Sequence, residues 1–153
     1  MNRLSGVEPA IVFRDAALQD LEQLVALDAI CFPRGTAYPT RVMRHYAFSK
    51  QSKSIVALRG KTIVGLIVIR LATAVAEIVT IDVLPENRGS GLGSALMQRA
   101  EDWIRARSCS LIALEVDEEN LAAVSLYESH GFAVRERYKQ DGKRRYVMVK
   151  ELS

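Results

Sequence analysis

Hydrophobic and polar positions along the chain follow two periods, and each change of period predicts a new element. Apolar residues spaced three and four apart predict helices over 18–30, 39–49, 91–107 and from residue 121 to a stop at Gly131. Runs of β-branched residues and period-two alternation predict strands over 11–14, 54–58, 62–69, 75–84, 111–116, 133–138 and 145–150. The predicted order is therefore β-α-α-β-β-β-α-β-α-β-β, a mixed sheet with helices on its faces.

Glycines at three turns sharpen these boundaries. Gly60 and Gly142 lie in short polar turns that predict β-hairpins, and Gly131 suits the left-handed position that ends a helix. The strand over 111–116 is apolar nearly throughout except at Glu115, as expected of a buried parallel strand. No linker divides the chain, so we expect one domain over residues 1–153, with residues 1–10 as a loose leader.

Composition narrows the class of protein. The chain is 49% hydrophobic and 25% charged, as in ordinary globular domains. No apolar run approaches the roughly 18 to 20 residues of a membrane span, and the first residues lack the pattern of a signal peptide. Cys31 and Cys109 lie far apart, which predicts two free thiols in a reducing, cytoplasmic compartment. The net charge of +3 suits a polyanionic small ligand but is too weak to predict nucleic-acid binding.

The segment over 81–95 carries the clearest chemical signal. A strand ends, Gly89, Gly91 and Gly93 form a turn, and a long helix begins. Glycines let the backbone approach a ligand closely, and a helix N-terminus carries about half a positive charge. Arg88 adds a guanidinium group. The pattern predicts a binding site for phosphate or pyrophosphate.

Spacing excludes two common phosphate motifs. A P-loop requires a lysine after its glycines, and none follows here. The dinucleotide motif G-x-G-x-x-G/A meets Ser94 when it starts at Gly89 and Leu96 when it starts at Gly91, so it fails in both frames. With two histidines and two cysteines, widely spaced, the sequence also gives no support for a metal site.

The spacing instead resembles that of the GNAT superfamily of acyl-CoA N-acyltransferases. Arg88-x-x-Gly91-x-Gly93 follows a strand that ends in Val83-x-Pro85, and it is similar to the family's pyrophosphate-binding motif. Residues 120–132 resemble the family's Asn-x-x-Ala-x-x-x-Tyr-x-x-x-Gly-Phe helix. The resemblance is close over residues 77–132. It implies a GNAT-like α/β fold, with a mixed, mostly antiparallel sheet, a central parallel β-α-β unit and helices on both faces.

The resemblance also implies a site for acetyl-CoA as the acetyl donor, with no metal. The backbone around Ile81, Asp82 and Val83 would pair with the pantetheine arm where two parallel strands splay, and a backbone N–H near Val83 would polarise the acetyl carbonyl. Asn120 would hydrogen-bond the same arm, and Tyr127 would stand near the thioester sulfur. The residues implied to cradle the pyrophosphate are Arg88, Gly89, Ser90, Gly91, Leu92, Gly93 and Ser94.

Two glutamates compete for the role of the base. A primary amine must be neutral to attack a thioester, and a carboxylate can take its proton directly or through a water. The placement of Glu115 resembles that in bacterial enzymes that acetylate the α-amine of a ribosomal protein. The placement of Glu77 resembles the base of histone-type lysine acetyltransferases. Glu115 is slightly favoured, and the choice stays open.

Each candidate also has a plain structural alternative. Tyr127 could be a core tyrosine, and Asn120 could be the N-cap of its helix. Glu77 and Glu115 could be partly buried carboxylates paired with arginines. His130 is interpreted as a surface or helix-end residue rather than a ligand.

The resemblance implies an N-acetyltransferase that works by direct attack of an amine in a ternary complex. Its nearest subclass is the ribosomal-protein-alanine and N-terminal α-amino acetyltransferases, with Tyr138 placed against a substrate peptide. Lys143, Arg144 and Arg145 depart from that subclass, which often carries acidic residues after the hairpin glycine. These basic residues favour an acceptor that bears a carboxylate or phosphate, although such a cluster is also typical of a solvated hairpin edge.

The acceptor itself stays open at this point. It is an amine, either a peptide N-terminus or a small molecule, and residues 32–49 are expected to form one wall of its cleft. Neither nucleic acid nor a membrane is an expected partner, and both monomer and homodimer fit the sequence. The alternative functions are a small-molecule amine acetyltransferase and a non-catalytic acyl-CoA-binding module.

Overall fold

The computed structural model describes residues 10–153, so the leader predicted for residues 1–10 lies outside the described residues, apart from Ala10. The elements follow the predicted order. The helices are α1 (Leu21–Cys31), α2 (Thr40–Phe48), α3 (Leu92–Arg105) and α4 (Leu121–Ser129). The strands are β1 (Ile11–Asp15), β2 (Ser52–Arg59), β3 (Thr62–Ala72), β4 (Val75–Val83), β5 (Leu111–Asp117), β6 (Ala133–Gln140) and β7 (Lys143–Glu151).

The strands form one sheet in the order β1-β2-β3-β4-β5-β7-β6. Neighbouring strands are antiparallel except β4 and β5, which α3 connects as a parallel β-α-β unit. The predicted fold class, a mixed and mostly antiparallel sheet with helices on both faces, is therefore confirmed. Within residues 10–153, no helix combines the length and the apolar character needed to cross a membrane.

Each face of the sheet carries its own hydrophobic core. Leu96 of α3 packs with Ile67 on one face, in a core that also takes Tyr127 from α4. Leu24 of α1 and Met43 of α2 pack on the opposite face. Burying one such side chain contributes about 1.5 to 3 kcal/mol, so the two cores fix which helices flank each strand.

A β-bulge in β4 decides which of its side chains face α1. Val79 is the extra residue, opposite the junction of Val68 and Ile69 on β3. Beyond it, Asp82 pairs with Leu66, whose side chain lies in the core beneath α1 and α2. Because directly paired residues share a face, Asp82 points towards α1.

The expectation of a buried parallel strand over 111–116 is correct for one edge only. β5 is parallel to β4 along four residues, and its other edge pairs antiparallel with β7 along its whole length. Its side chains alternate, with Ile112, Leu114 and Val116 buried and Glu115 exposed. Two short 3-10 helices, Leu18–Asp20 and Pro85–Asn87, were not predicted; the first occupies the start of the predicted 18–30 helix.

Candidate active site

A gap opens where the two parallel strands diverge. β4 and β5 pair only from Val75 to Ile78 and from Leu111 to Leu114. From Val79 to the end of β4, the edge that faces β5 has no strand partner among the described residues. The unpaired backbone groups of a strand form a template for an extended ligand. Residues 81–83, predicted to bind the pantetheine arm, lie along this edge.

A turn rich in glycine lies beside the gap and leads into α3. Gly89 and Gly91 have φ values of +78° and +87°, which side chains rarely adopt, and a Cβ at either would meet no atom within 4 Å. Gly91 is the N-cap of α3, so the first N–H groups of this 14-residue helix lack partners within the helix. The turn therefore offers open space, oriented N–H donors and a positive helix end, which together suit a pyrophosphate.

Gly93 has a different role, because it lies inside α3 with ordinary helical backbone. A Cβ there would approach Cδ2 of Leu126 to 3.3 Å. The glycine lets α4 pack closely against the first turn of α3. It thereby brings the two predicted motifs together.

Polar side chains tie the turn to its surroundings. The Nε of Arg88 donates to the carbonyl oxygen of Val83 at 3.0 Å, and the Sγ of Cys31 donates to the same oxygen at 3.4 Å. Arg88 thus contacts the end of β4. Ser94 shares a hydrogen bond of 2.7 Å with the Nε2 of His130. Sequence reasoning placed His130 at a helix end, where it lies, but missed this contact with the predicted cradle.

Tyr127 lies on α4 and packs into the core on the α3 side of the sheet, within range of the charge of Asp82. Its side chain is buried, and its ring centroid lies 6.1 Å from that of Phe132. Burial, and to a lesser degree the charge of Asp82, raises the pKa of the Tyr127 hydroxyl well above its ordinary value. The phenol therefore keeps its proton at neutral pH, which suits both a core tyrosine and a proton donor.

Asn120 is the N-cap of α4, as its structural alternative proposed. Its Oδ1 accepts a hydrogen bond from the N–H of Ala123 at 3.2 Å. The side-chain NH2 group takes no part in this bond. A role in holding the cofactor arm stays a prediction.

A cavity of about 190 Å³ lies near the point where β4 and β5 diverge. Glu77 and Glu115 both line it, from neighbouring strands, so the two candidate bases share one site. Tyr38 and Tyr46, whose ring centroids are 5.2 Å apart, contribute the side predicted for residues 32–49. Burial is the main cause that raises the pKa of Tyr38 to about 12, and the neighbouring Tyr46 adds to the shift. The other lining residues are Arg70, Ile78, Val79 and Arg145.

The two glutamates differ in their partners. The guanidinium of Arg70 donates to Oε1 of Glu77 at 2.9 Å. Glu77 is therefore paired with an arginine, as its structural alternative predicted. Glu115 lies one residue past the last parallel pair, and among residues 10–153 no cation forms an ion pair with it. Burial and a hydrogen bond with Glu115 raise the pKa of Tyr138. Glu115 is therefore the less neutralised of the two carboxylates.

Arg145 corrects one interpretation from sequence. It was grouped with Lys143 and Arg144 on a solvated hairpin edge, but it is half-buried and lines the cavity. Its strand, β7, pairs with β5, so Arg145 stands opposite Asp117, two residues past Glu115. Arg70 was also missed, although it forms a cross-strand pair with Glu77 in the β3–β4 hairpin.

A larger cavity of about 360 Å³ lies between the first two strands and α3. Phe13, Lys53, Arg99 and Trp103 are among its lining residues. It contains no residue of the predicted site. The cavity between Glu77 and Glu115 adjoins the diverging strands and is the better candidate for an acceptor.

Comparison with known proteins agrees with this geometry. A family model described as the acetyltransferase (GNAT) family matches residues 19–132. The N-alpha-acetyltransferase 30 of Schizosaccharomyces pombe is 30% identical over 128 residues, which cover 80% of each chain. The mycothiol acetyltransferase of Renibacterium salmoninarum is 43% identical over 60 residues, or 39% of this chain and 18% of that protein. The chain spans about a fifth of the length of the mycothiol acetyltransferases that it matches.

Solved structures show the same fold. The ribosomal-protein-S18-alanine N-acetyltransferase of Escherichia coli superposes with a TM-score of 0.84 at 19% identity, covering 94% of this chain and 95% of that one. The PaiA N-acetyltransferase of Thermoplasma acidophilum, crystallised with coenzyme A, gives a TM-score of 0.79 at 18% identity, covering 94% and 99%. With the family model matching most of its length, the chain belongs to the acetyltransferase (GNAT) family.

Proposed function

We propose that the chain transfers the acetyl group of acetyl-CoA to a primary amine by direct attack in a ternary complex. One observation carries this proposal: the gap between β4 and β5 combines the open N-terminus of α3, a protonated Tyr127 and a cavity with two glutamates. A phosphate-bearing thioester and an amine would meet there. Holding two reactants together supplies much of the acceleration in such reactions.

The residues present fit coenzyme A. The turn at Gly89 and Gly91 leaves open space where a side chain would otherwise stand, and the N–H groups of the first turn of α3 suit its pyrophosphate. The free edge of β4 suits its extended arm. Acetyl-CoA would supply an activated acetyl carbon. The similar fold crystallised with coenzyme A supports this assignment.

Glu115 and Tyr127 would divide the proton transfers. Glu115 takes a proton from the amine, directly or through a water, as the amine nitrogen bonds to the acetyl carbon. The carbon–sulfur bond then breaks, and Tyr127 gives its proton to the departing thiolate. The products are an amide and a free thiol. Tyr127 recovers its proton from solvent through Glu115 or water.

The cavity narrows the acceptor to an amine with a nearby acidic group. At about 190 Å³ it is smaller than most drug-sized pockets, so it suits one amine-bearing residue rather than a long side chain. Arg145 lines it, and among residues 10–153 no carboxylate forms an ion pair with Arg145. Two similar proteins are named for α-amine or alanine acetylation. We therefore place first the α-amine of a protein or peptide with an acidic residue near its N-terminus, and second a free amino acid, which carries its own carboxylate.

Glu115→Gln tests the base assignment. We expect kcat to fall by about 100-fold, the lower end of general-base effects, while the affinity for acetyl-CoA stays within about twofold. Glu77→Gln should cost less, because its carboxylate is already bonded to Arg70. Glu22→Gln, an exposed carboxylate on α1, is the matched control. The assay is acetyl transfer to a panel of short peptides and free amino acids.

The outcomes separate the alternatives. Full activity of Glu115→Gln with loss in Glu77→Gln would reverse the base assignment. Turnover of amino acids without peptides would favour the small-molecule function. Tight binding of acetyl-CoA without transfer to any amine would instead mean a non-catalytic binding module.

A further inference from the structure

Two aspartate side chains that take no part in the proposed chemistry lie buried and interact with each other beside the gap. Asp28 of α1 and Asp82 of β4 are each only 1% exposed. The Oδ2 of Asp28 accepts the backbone N–H of Tyr38 at 2.7 Å, and the Oδ1 of Asp82 accepts the hydroxyl of Thr80 at 2.7 Å. Each carboxyl group thus has one oxygen bonded.

The other two oxygens lack a donor. Oδ1 of Asp28 and Oδ2 of Asp82 are fully buried and have no hydrogen-bond partner among the described residues. The two side chains interact with each other, and burial together with that interaction raises the pKa of Asp82 well above its ordinary value. Two adjacent carboxylates in such a place cannot both keep their charge. One proton held between the orphaned oxygens would satisfy both.

The surroundings offer no full counter-charge. Cys31 lies near the pair on α1, Tyr38 lies in the loop after it, and Tyr127 of α4 is within range of the charge of Asp82. Burial is the main cause that raises the pKa of each of the three groups, with Tyr46 adding to the shift of Tyr38 and the aspartates adding to all three, so all stay neutral at pH 7. Arg88 is the cation near Asp82, but its Nε bonds the carbonyl of Val83 and its side chain is exposed. Binding a proton between the two carboxyl groups is therefore the remaining way to reduce their charge.

We propose that Asp28 and Asp82 share one proton and act together as positioning residues, which fasten α1 and Tyr38 to the acyl-binding end of β4. Tyr38 lines the acceptor cavity, and its backbone N–H is held by Asp28. Asp82 is the middle residue of the stretch 81–83, whose backbone is placed against the pantetheine arm. The shared proton thus joins the acceptor side of the site to its acyl side. This positioning role rests on the proposed function, whereas the shared proton does not.

The proton makes stability depend on pH with a known sign. In the unfolded chain both carboxyl groups have a pKa near 3.9 and are ionised at neutral pH, whereas the folded pair keeps one proton. The folded state therefore binds more protons. The stabilisation that the shared proton supplies is full below about pH 4 and is lost as pH rises towards the raised pKa of the pair, where it increases the unfolding constant by up to about tenfold per pH unit.

Asparagine substitutions test the shared proton. In Asp82→Asn the amide NH2 takes the place of the proton and donates to Asp28, while its oxygen still accepts from Thr80; Asp28→Asn is the mirror arrangement. Equilibrium unfolding is measured from pH 5 to 9 for wild type, both single variants and the double variant. Asp102→Asn, an exposed carboxylate on α3, is the matched control.

The expected pattern is specific. The ratio of the wild-type to the Asp82→Asn unfolding constant should rise by up to tenfold per pH unit, and Asp102→Asn should follow wild type. The double variant, which has neither carboxyl group, should show no more pH dependence than the single variants. A ratio of the wild-type to the Asp82→Asn unfolding constant that does not change with pH would overturn the shared proton.

The positioning role has its own readout. The acceptor KM of wild type should rise with pH relative to that of Asp82→Asn, while the ratio of their kcat values stays flat. A purely structural pair would leave the KM ratio unchanged across the range, and that result would overturn the positioning role. If no amine is acetylated at all, the proposed function fails, and the unfolding measurements still decide the shared proton.

Discussion

The hydroxyl group of Tyr127 gains its proton affinity mainly from burial. The side chain is 6% exposed, and the nearby charge of Asp82 adds to the effect, so the pKa of Tyr127 lies well above its ordinary value. A phenol in this state is not a base at neutral pH. It can only donate, and because its pKa lies above that of a thiol, its role would be to stabilise the departing thiolate by a hydrogen bond as the carbon–sulfur bond breaks and to give up the proton as another proton reaches it.

Tyr127→Phe isolates this proton. We expect kcat to fall by about 100-fold, with acetyl-CoA affinity and stability nearly unchanged, since the ring still packs against Phe132. Tyr146→Phe removes a phenol from β7 outside the cavity and should leave kcat intact. Single-turnover kinetics with the best acceptor measure the step directly. A Tyr127→Phe enzyme with the wild-type rate would make Tyr127 a core tyrosine only.

Asn120, at the start of α4, caps its helix and is also predicted to bind the cofactor arm. Asn120 caps the helix through its Oδ1, and its NH2 group is not part of the cap. The cap stabilises the protein, whereas the NH2 group is the part that could bond the cofactor arm. Because the cap and the predicted cofactor contact use different atoms, substitutions can separate them.

Asn120→Ser and Asn120→Ala form that pair of substitutions. Serine keeps an N-cap oxygen, so stability should stay within about 0.5 kcal/mol, whereas alanine should cost about 1 kcal/mol. Both lack the amide donor, so both should weaken coenzyme A binding to a similar degree. Urea unfolding and calorimetric titration give the two quantities. Normal coenzyme A affinity in the serine variant would leave Asn120 as a helix cap and nothing more.

The close packing of α4 on α3 brings the residues of two helices together beside the gap. Gly93 admits Leu126 at a distance that a Cβ would crowd, so the two helices that carry the family motifs meet at the gap. The contact between Ser94 and His130 joins the same two elements at the cradle. The sequence separates these motifs by some thirty residues, and packing makes them one site.

Over the whole molecule, sequence reasoning predicted local periodicity well and charge pairing poorly. The strands, helices and hairpin turns at Gly60 and Gly142 follow from patterns within a few residues, which is why the fold was predictable. The partial burial of Arg145 was not predicted, because it depends on β7 pairing beside β5, a contact between distant segments. The burial of Asp28 was predictable from sequence, because Asp28 lies four residues after Leu24 on the apolar side of α1. A polar residue on such a stripe requires a buried partner.

Ligand binding tests the assembled site as a unit, because the cradle, the free edge of β4 and the cap of α4 would all contact one molecule. Acetyl-CoA or coenzyme A at about 100 times its Kd should add roughly 2.7 kcal/mol to the folded state, or about 5 to 10 °C in Tm for a domain of this size. NAD should give no shift. Gly91→Ala supplies the internal control, since a left-handed backbone at this position should cost about 1 to 2 kcal/mol and disturb the cradle, so its coenzyme A shift should shrink. A shift with NAD alone would mean that the glycine turn binds a dinucleotide, and equal shifts in wild type and Gly91→Ala would place coenzyme A somewhere other than at the start of α3.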